Sequence, residues 1–248
     1  MQSPSFLISR TAKPHKRLSA TIIVANKKPF VMEIVGQPTR EYQGLILAPN
    51  VPRVAFSALD SEVTILDAGI TTATYRMLQP LLKSGQSRAL SAGELTRIQS
   101  LLRPAYATEM SCTQAQQLLD DVAHTLDGTS APTSSPDPRI ERVLQLVEDL
   151  PLDELSLPML ARAAELSESR LRALFQKNLG CGPAQYMRWV NAWKVISLWE
   201  KGKKFTDLAH EMGFHDLSHI DHALKELFGV SPSMVTTAQG VSFHKCGL

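Results

Sequence analysis

Leu157-x-x-Leu160-Ala161, Leu166-Ser167, Leu171-x-x-Leu174-Phe175 and Leu179-Gly180-x-x-Pro183 return further along the chain as Phe205-x-x-Leu208-Ala209, Gly213-Phe214, Ile220-x-x-Ala223-Leu224 and Phe228-Gly229-x-x-Pro232. The step is 48 from Leu160 to Leu208, and 49 from Leu171 to Ile220, Phe175 to Leu224, Gly180 to Gly229 and Pro183 to Pro232. One extra residue in the second turn accounts for the difference. Apolar residues at i, i+3 and i+4 make the inner stripe of a short helix. Ala161 and Ala209 are small enough to let the next helix cross close by. Ser167 is placed to cap a helix starting at Glu168, and Asp216 to cap one near Leu217. Gly180 and Gly229 stand where each helix must stop. Spacing, caps and stops that recur together speak against a chance repeat in an ordinary helical bundle. The pattern is two copies of a helix-turn-helix, and such a pair can set two helices into successive major grooves of DNA.

Three motifs carry a closer resemblance: Leu179-Gly180-Cys181-Gly182-Pro183-Ala184-Gln185-Tyr186, Gly213-Phe214-His215-Asp216-Leu217-Ser218-His219-Ile220, and Leu227-Phe228-Gly229-Val230-Ser231-Pro232-Ser233. On these, residues 139–236 resemble the DNA-binding domain of the AraC/XylS family of bacterial transcription regulators. The resemblance implies seven helices, with a linker helix over roughly 184–200 that is about 25 Å long. It also implies an α+β protein. A β-rich, cupin-like N-terminal domain with following helices is linked to an all-α domain containing two helix-turn-helix units.

The departures from that family concern charge. Its linker helix usually carries several arginines, whereas Trp189-Val190-Asn191-Ala192-Trp193-Lys194-Val195-Ile196-Ser197-Leu198-Trp199 holds one lysine. Residues 139–236 contain 12 Lys and Arg against 13 Asp and Glu. Phosphate contacts dominate most DNA affinity, and a basic face is the expected footprint. Here that footprint is weak.

Composition bounds the remainder. The 248 residues allow two domains. No apolar run approaches a membrane span, and Met1-Gln2-Ser3-Pro4-Ser5 lacks the charged start of a secretory signal. Three dispersed cysteines, Cys112, Cys181 and Cys246, suit a reducing cytoplasm rather than a disulfide framework. No CxxC or HExxH pattern and no nucleophile–base constellation is present, so no metal, cofactor or enzyme activity is expected, a zinc or nickel site on the stripe of His215, His219 and His222 being the rival reading.

The expected organisation is a sensor and dimerisation domain over 1–127, a linker over 128–138, the DNA-binding domain over 139–236 and a tail over 237–248. Strands are expected within 6–67, at 6–8, 20–24, 30–35, 44–48, 54–56 and 63–66. Helices are expected near 72–84, 91–102 and 111–127. Leu118, Leu119, Val122 and Leu126 give the last a stripe suited to a homodimer contact. The stretch Tyr42–Pro52 is similar to a segment of such sensor domains. Arg10, Lys13, His15, Arg40 and Arg53 are candidate polar handles for a small-molecule effector, with solvated surface charge as the alternative.

The resemblance places Ser169, Arg172 and Ala173 toward base edges, with Arg170 and Lys177 as phosphate contacts. Arg172 is the best candidate for direct readout, since arginine pairs bidentately with guanine. In the second unit Leu217, Ser218, Asp221 and His222 face the groove, His219 touches the backbone and Lys225 meets a phosphate. His210, His215, His219 and His222 would add positive charge in acid. Trp189, Trp193 and Trp199 are expected as packing anchors, Cys181 as a thiol in an exposed turn, and Lys201, Lys203 and Lys204 as a solvated turn or phosphate contacts. The partners implied are double-stranded DNA, a second copy of the chain and RNA polymerase. The alternative is an interaction protein of the same fold that binds DNA weakly and acts by dimerising with a related regulator.

Overall fold

A computed structural model describes residues 7–58, 62–82, 86–106, 110–127, 137–198, 207 and 217–229. The chain divides into two compact units, one built mainly from residues up to Thr133 and one mainly from Ser134–Leu227. Among the described residues no helix is long and apolar enough to cross a membrane.

The N-terminal unit contains eight strands: β1 Leu7–His15, β2 Ser19–Ala25, β3 Phe30–Ile34, β4 Arg40–Tyr42, β5 Gly44–Leu47, β6 Arg53–Ala58, β7 Val63–Gly69 and β8 Ser87–Ala89. They form two antiparallel sheets, ordered β1-β6-β3-β4 and β7-β2-β5-β8. All seven residues of β2 and all four of β5 are buried. One face of this sheet turns inward, and the other is covered by helices that supply Ile98, Leu102, Val122, Ala123 and Leu126 to the same core. Burial on both faces is why these strands read as continuous apolar runs rather than alternations. By contrast β3 alternates, with Phe30, Met32 and Ile34 inside and Val31 and Glu33 outside. Phe30 packs its ring 5.5 Å from Phe56 and 6.0 Å from Tyr42.

All six expected strands are present, although β1 runs to His15, well beyond the expected 6–8. Two short strands, β4 and β8, were not expected. Each is three residues long and carries too few apolar side chains to show a period. The Tyr42–Pro52 segment forms the end of β4, β5 and a turn whose Asn50 has φ 63°, a conformation asparagine tolerates better than most residues.

Three helices follow: α1 Ala73–Leu78, α2 Ala92–Leu102 and α3 Cys112–Asp127. Helix α1 is shorter than the expected 72–84, because Pro80 continues it only as a 3-10 turn over Gln79–Leu81. A capping box starts α2. Ser91 accepts from the Glu94 amide, and the Glu94 carboxylate accepts from the Ser91 amide and from Arg88. The Arg88 contacts, assisted by Ser91, hold the Glu94 carboxyl down to about 2.

The stripe on α3 packs in part on its own unit. Val122 and Leu126 are buried in the unit's own core, and Leu118 and Leu119 pack against it. Thr74 of α1 donates to Asp120, and Gln116 donates to both. Val122 and Leu126 are thus spent inside their own unit, while Leu118 and Leu119 are half-buried.

The C-terminal unit contains α4 Pro138–Asp149, α5 Leu157–Ala163, α6 Glu168–Leu179, α7 Pro183–Leu198 and α8 Leu217–Phe228. Helix α4 begins inside the expected linker. Asp137 caps it by accepting from the Arg139 amide, and Pro138 takes the first helical position, where its missing N–H costs nothing. Residues 128–136 of the linker, the first helix of the second unit at 205–209 apart from Asp207, the turn at Gly213-Phe214, Asp216, Trp199, Lys201, Lys203, Lys204, His210, His215, Pro232, Cys246 and the tail at 237–248 lie outside the described residues.

Within the first unit the turn between α5 and α6 is a left-handed helix stop. The Leu166 amide donates to Ala161 O at 2.9 Å, and the Glu165 amide to Arg162 O at 3.0 Å. This pairing puts Glu165 at φ 56°. An L-residue with a β-carbon pays about 1 kcal/mol there, whereas glycine does not. The repeat step of 48 takes Glu165 to Gly213, so the second copy has a glycine at the matched position of its sequence. Glu165 is exposed and its ion pair with Arg142 is long, at 3.3 Å. Glu165→Gly is therefore expected to stabilise the chain by about 1 kcal/mol, read as a rise in the urea midpoint at unchanged slope. An unchanged or lower midpoint would contradict the strain.

Candidate functional site

Helix α6 is held at both ends by the residues the repeat singled out. The Ser167 hydroxyl accepts from the Arg170 amide, and Gly180 ends the helix at φ 68°. Leu171, Phe175 and Leu179 are buried on one side. Ser169, Arg170, Arg172, Ala173 and Lys177 are all exposed on the other. The face expected to read DNA is thus a real, uncovered face. Arg172 Nη2 lies 3.1 Å from Glu168 Oε2, one turn back and likewise solvent-exposed.

Helix α8 repeats the design with different charges. Ile220, Ala223, Leu224 and Leu227 are buried, and Gly229 ends the helix at φ 71°. Ser218, His219, His222 and Lys225 are exposed and Asp221 is half-buried. Of Leu217 the backbone alone is described. Lys225 Nζ holds Asp221 Oδ2 at 2.6 Å. The repeat step of 49 puts Asp221 opposite Arg172, and Glu226 opposite Lys177. Helices α6 and α8 therefore present opposite charge at matched positions.

One arrangement was not legible in sequence. The start of α4 comes beside α6, so that Arg139 joins Arg170 and Lys177 around an open groove of about 290 Å³ floored by Leu166, Ala173 and Leu174. Arg139 also holds Asp137, through Nη2 at 2.7 Å and Nε at 3.0 Å. These contacts lower the Asp137 carboxyl to about 2. A basic groove thus forms on a domain whose total charge is near zero.

Helix α7 supports the reading helix. Phe175 of α6 meets Tyr186 edge-on at 6.1 Å, Tyr186 meets Trp189 at 6.1 Å, and Trp189 meets Trp193 edge-on at 6.3 Å. Trp189 is buried and Trp193 half-buried, which makes both packing groups, as expected. Lys194 is a structural group. Its ammonium donates to Val147 O at 2.9 Å and Leu150 O at 2.7 Å, closing the last turn of α4. Arg188 lies 4.0 Å from Glu226 and so connects α7 to α8. Cys181 is buried rather than exposed, and burial pushes its thiol up to about 12. A thiol so placed is inert, which removes the exposed turn.

In the N-terminal unit the structure sorts the candidate handles. Arg40 is exposed, and the side chains of Arg10 and Lys13 are outside the described residues. His15 and Arg53 are buried and are paired in register between β1 and β6. Asp67 of β7 accepts from Ser19 at 2.8 Å, from Thr21 at 2.6 Å and from Arg17. Burial pushes its carboxyl up, but Arg17, then the two hydroxyls and Arg53, hold it below the usual range. Burial, then Arg53 and Arg17, push His15 down to about 3, so it is neutral at pH 7. Burial, then Arg17, lower Arg53 to about 9 against the pull of Asp67.

A family model for a helix-turn-helix domain matches residues 160–238. A protein of Streptomyces antibioticus named as an AraC-like transcription regulator is 30% identical over 97 residues, 39% of this chain and 32% of that protein. The HTH-type transcriptional regulator MtrA of Neisseria gonorrhoeae is 28% identical over 97 residues, with the same shares. The C-terminal domain is of the AraC type. This is a type of transcription regulator and not of enzyme. The match spans about a third of the length of these curated relatives. Crystal structures of ToxT from Vibrio cholerae share the fold of the whole chain. One has a TM-score of 0.60 at 13% identity, over 94% of this chain and 97% of that one. An unsaturated fatty acid-bound form has a TM-score of 0.58 at 16% identity, over 98% and 100%. The chain thus has the two-part fold of ToxT, with the β-rich half first.

The support given by α7 is measurable. Lys194→Met leaves two half-buried carbonyls without their donor, at a cost of about 1–3 kcal/mol. Thermal unfolding of the full chain is expected to show it as a lowered Tm. A Tm equal to that of the parent would show that water caps α4 as well as Lys194 does.

Proposed function

We propose that the chain is a sequence-specific DNA-binding transcription regulator whose first helix-turn-helix carries most of the readout. The observation that carries this is the exposed α6 face, with Ser169, Arg172 and Ala173 toward the bases and Arg170, Lys177 and Arg139 toward phosphates. Helix α8 supplies Leu217, Ser218, His222 and Lys225 in the adjacent groove, and His219 at the backbone. Asp221 faces the groove without attraction for phosphate. Each chain carries two reading helices, so one copy suffices to span two grooves. The N-terminal unit is read as the effector domain. ToxT, which shares its fold, has been crystallised with an unsaturated fatty acid, and a small-molecule ligand for this chain follows by that analogy.

A second reading is favoured by the charge reversal between the units. With Asp221 and Glu226 where the first copy has Arg172 and Lys177, the fold could serve to join a related regulator while binding DNA weakly. The two readings part in one experiment. The full chain is used to select duplexes from a random pool, and affinity for the enriched site is compared with scrambled DNA. An enriched site with at least a hundredfold preference is expected. Failure to enrich any site would favour the interaction protein.

On that site Arg172→Ala is expected to cost about 1–3 kcal/mol and to relax preference at one base pair. Glu168→Gln releases Arg172 from an exposed ion pair worth about 0.5 kcal/mol, and is expected to tighten binding about twofold. Fluorescence anisotropy at fixed salt reads both. If Arg172→Ala binds like the parent, Arg172 is not the reading residue.

A further inference from the structure

Helix α4 is entered through Pro136-Asp137-Pro138-Arg139. A residue before proline is driven out of the helical region, and Asp137 stands at φ −55° and ψ 130°. That conformation brings its carboxylate onto the first turn of α4. Oδ1 accepts from the Arg139 amide at 3.0 Å and from Arg139 Nε at 3.0 Å. Oδ2 accepts from Arg139 Nη2 at 2.7 Å. One side chain thus makes both the helix cap and an ion pair.

A capping aspartate needs only the first of these contacts. The other two take the Nε edge of Arg139, whose parallel N–H groups fit a carboxylate or a phosphate. Among the described residues no acidic side chain lines the groove itself, which Arg139, Arg170 and Lys177 rim. Asp137 reaches it through Arg139, and after Arg139 the charge of Lys177 also helps to lower its carboxyl. On α6 the strip Arg170, Ala173, Leu174 and Lys177 follows i, i+3, i+4 and i+7. It runs beside Ser169 and Arg172, where the backbone flanking a major groove would lie.

We propose that Asp137 is a built-in competitor for DNA phosphate, holding the guanidinium edge that a phosphate would take. Phosphate gains Arg139 only by displacing this carboxylate. The exchange spares the helix, because Oδ1 can keep the Arg139 amide when the side chain leaves. Asp137 is then a positioning residue, acting on affinity through Arg139 and not on the choice of base. The inference rests on the reading of the α6 face as a DNA-binding face and adds to it the residue that restrains its grip on any duplex.

The test uses the full chain with Asp137→Asn and Arg139→Gln, singly and together. Asparagine caps a helix about as well as aspartate, so the Tm of Asp137→Asn is expected to stay near that of the parent. Should it fall, Asp137→Ser, which also caps, takes its place. Anisotropy on the enriched and the scrambled duplex is read over a salt series. Asp137→Asn is expected to bind both about two- to fivefold more tightly, the scale of an exposed ion pair. The slope of log K against log salt is expected to steepen by about 0.9, as one more phosphate is neutralised. Most of this gain is expected to vanish in the Arg139→Gln background. Retention on heparin, a polyanion without bases, reads the groove by itself, and later elution of Asp137→Asn is expected there too. Affinity and slope equal to those of the parent overturn the inference. So does a gain of the same size without Arg139, which would be the plain loss of a charge. An Arg139-dependent shift on heparin in a chain that selects no DNA site upholds the competition and removes the DNA reading alone.

Discussion

The contact between α6 and α7 is the constraint on which the DNA-binding unit depends. Helix α6 spans twelve residues with one apolar stripe. Isolated helices of that length are marginal in water. It stands because Phe175 is wholly buried against Tyr186, which in turn packs on Trp189, and each such ring contributes about 2–3 kcal/mol of burial. Lys194 then ties the same support to α4. The exposed face of α6 therefore presents its side chains on a rigid element, with Arg172 held by one exposed carboxylate partner, Glu168.

What was legible in the sequence was local. Ser167 as a cap, Gly180 and Gly229 as stops, and Leu171 and Phe175 as a stripe are decided within a few residues, and each stands where the pattern puts it. The six apolar strands were legible for the same reason. The misses concern partners distant in sequence. The α3 stripe gives no sign of which of its residues meet their own unit, and here Val122 and Leu126 do so fully and Leu118 and Leu119 in part. Cys181 lies between two glycines, which suggests an exposed turn, yet the neighbouring helices cover it. Arg139 is 31 residues before Arg170, so nothing in the local pattern joins them in one groove.

Net charge illustrates the same limit. A count over residues 139–236 describes a near-neutral domain, but acids and bases are not spread evenly. Glu165 and Asp137 hold Arg142 and Arg139, while Lys177 and Arg170 stand with Arg139 over an apolar floor. Screening at physiological salt acts over about 8 Å. A phosphate at the groove would therefore feel Arg170, Lys177 and an Arg139 partly offset by Asp137 more than the acids elsewhere on the domain.

The aromatic row from Phe175 to Trp193 also bears on how the chain assembles as it is made. Two copies of one motif in tandem invite the wrong pairing, since each could accept a helix meant for the other. At the position of Phe175 the second copy has Leu224, which cannot make the edge-on contact with Tyr186. That single difference gives α7 a preferred partner. It also means that the first copy cannot close its core until residues 186–193 have left the ribosome, so its completion waits on the helix that leads to the second.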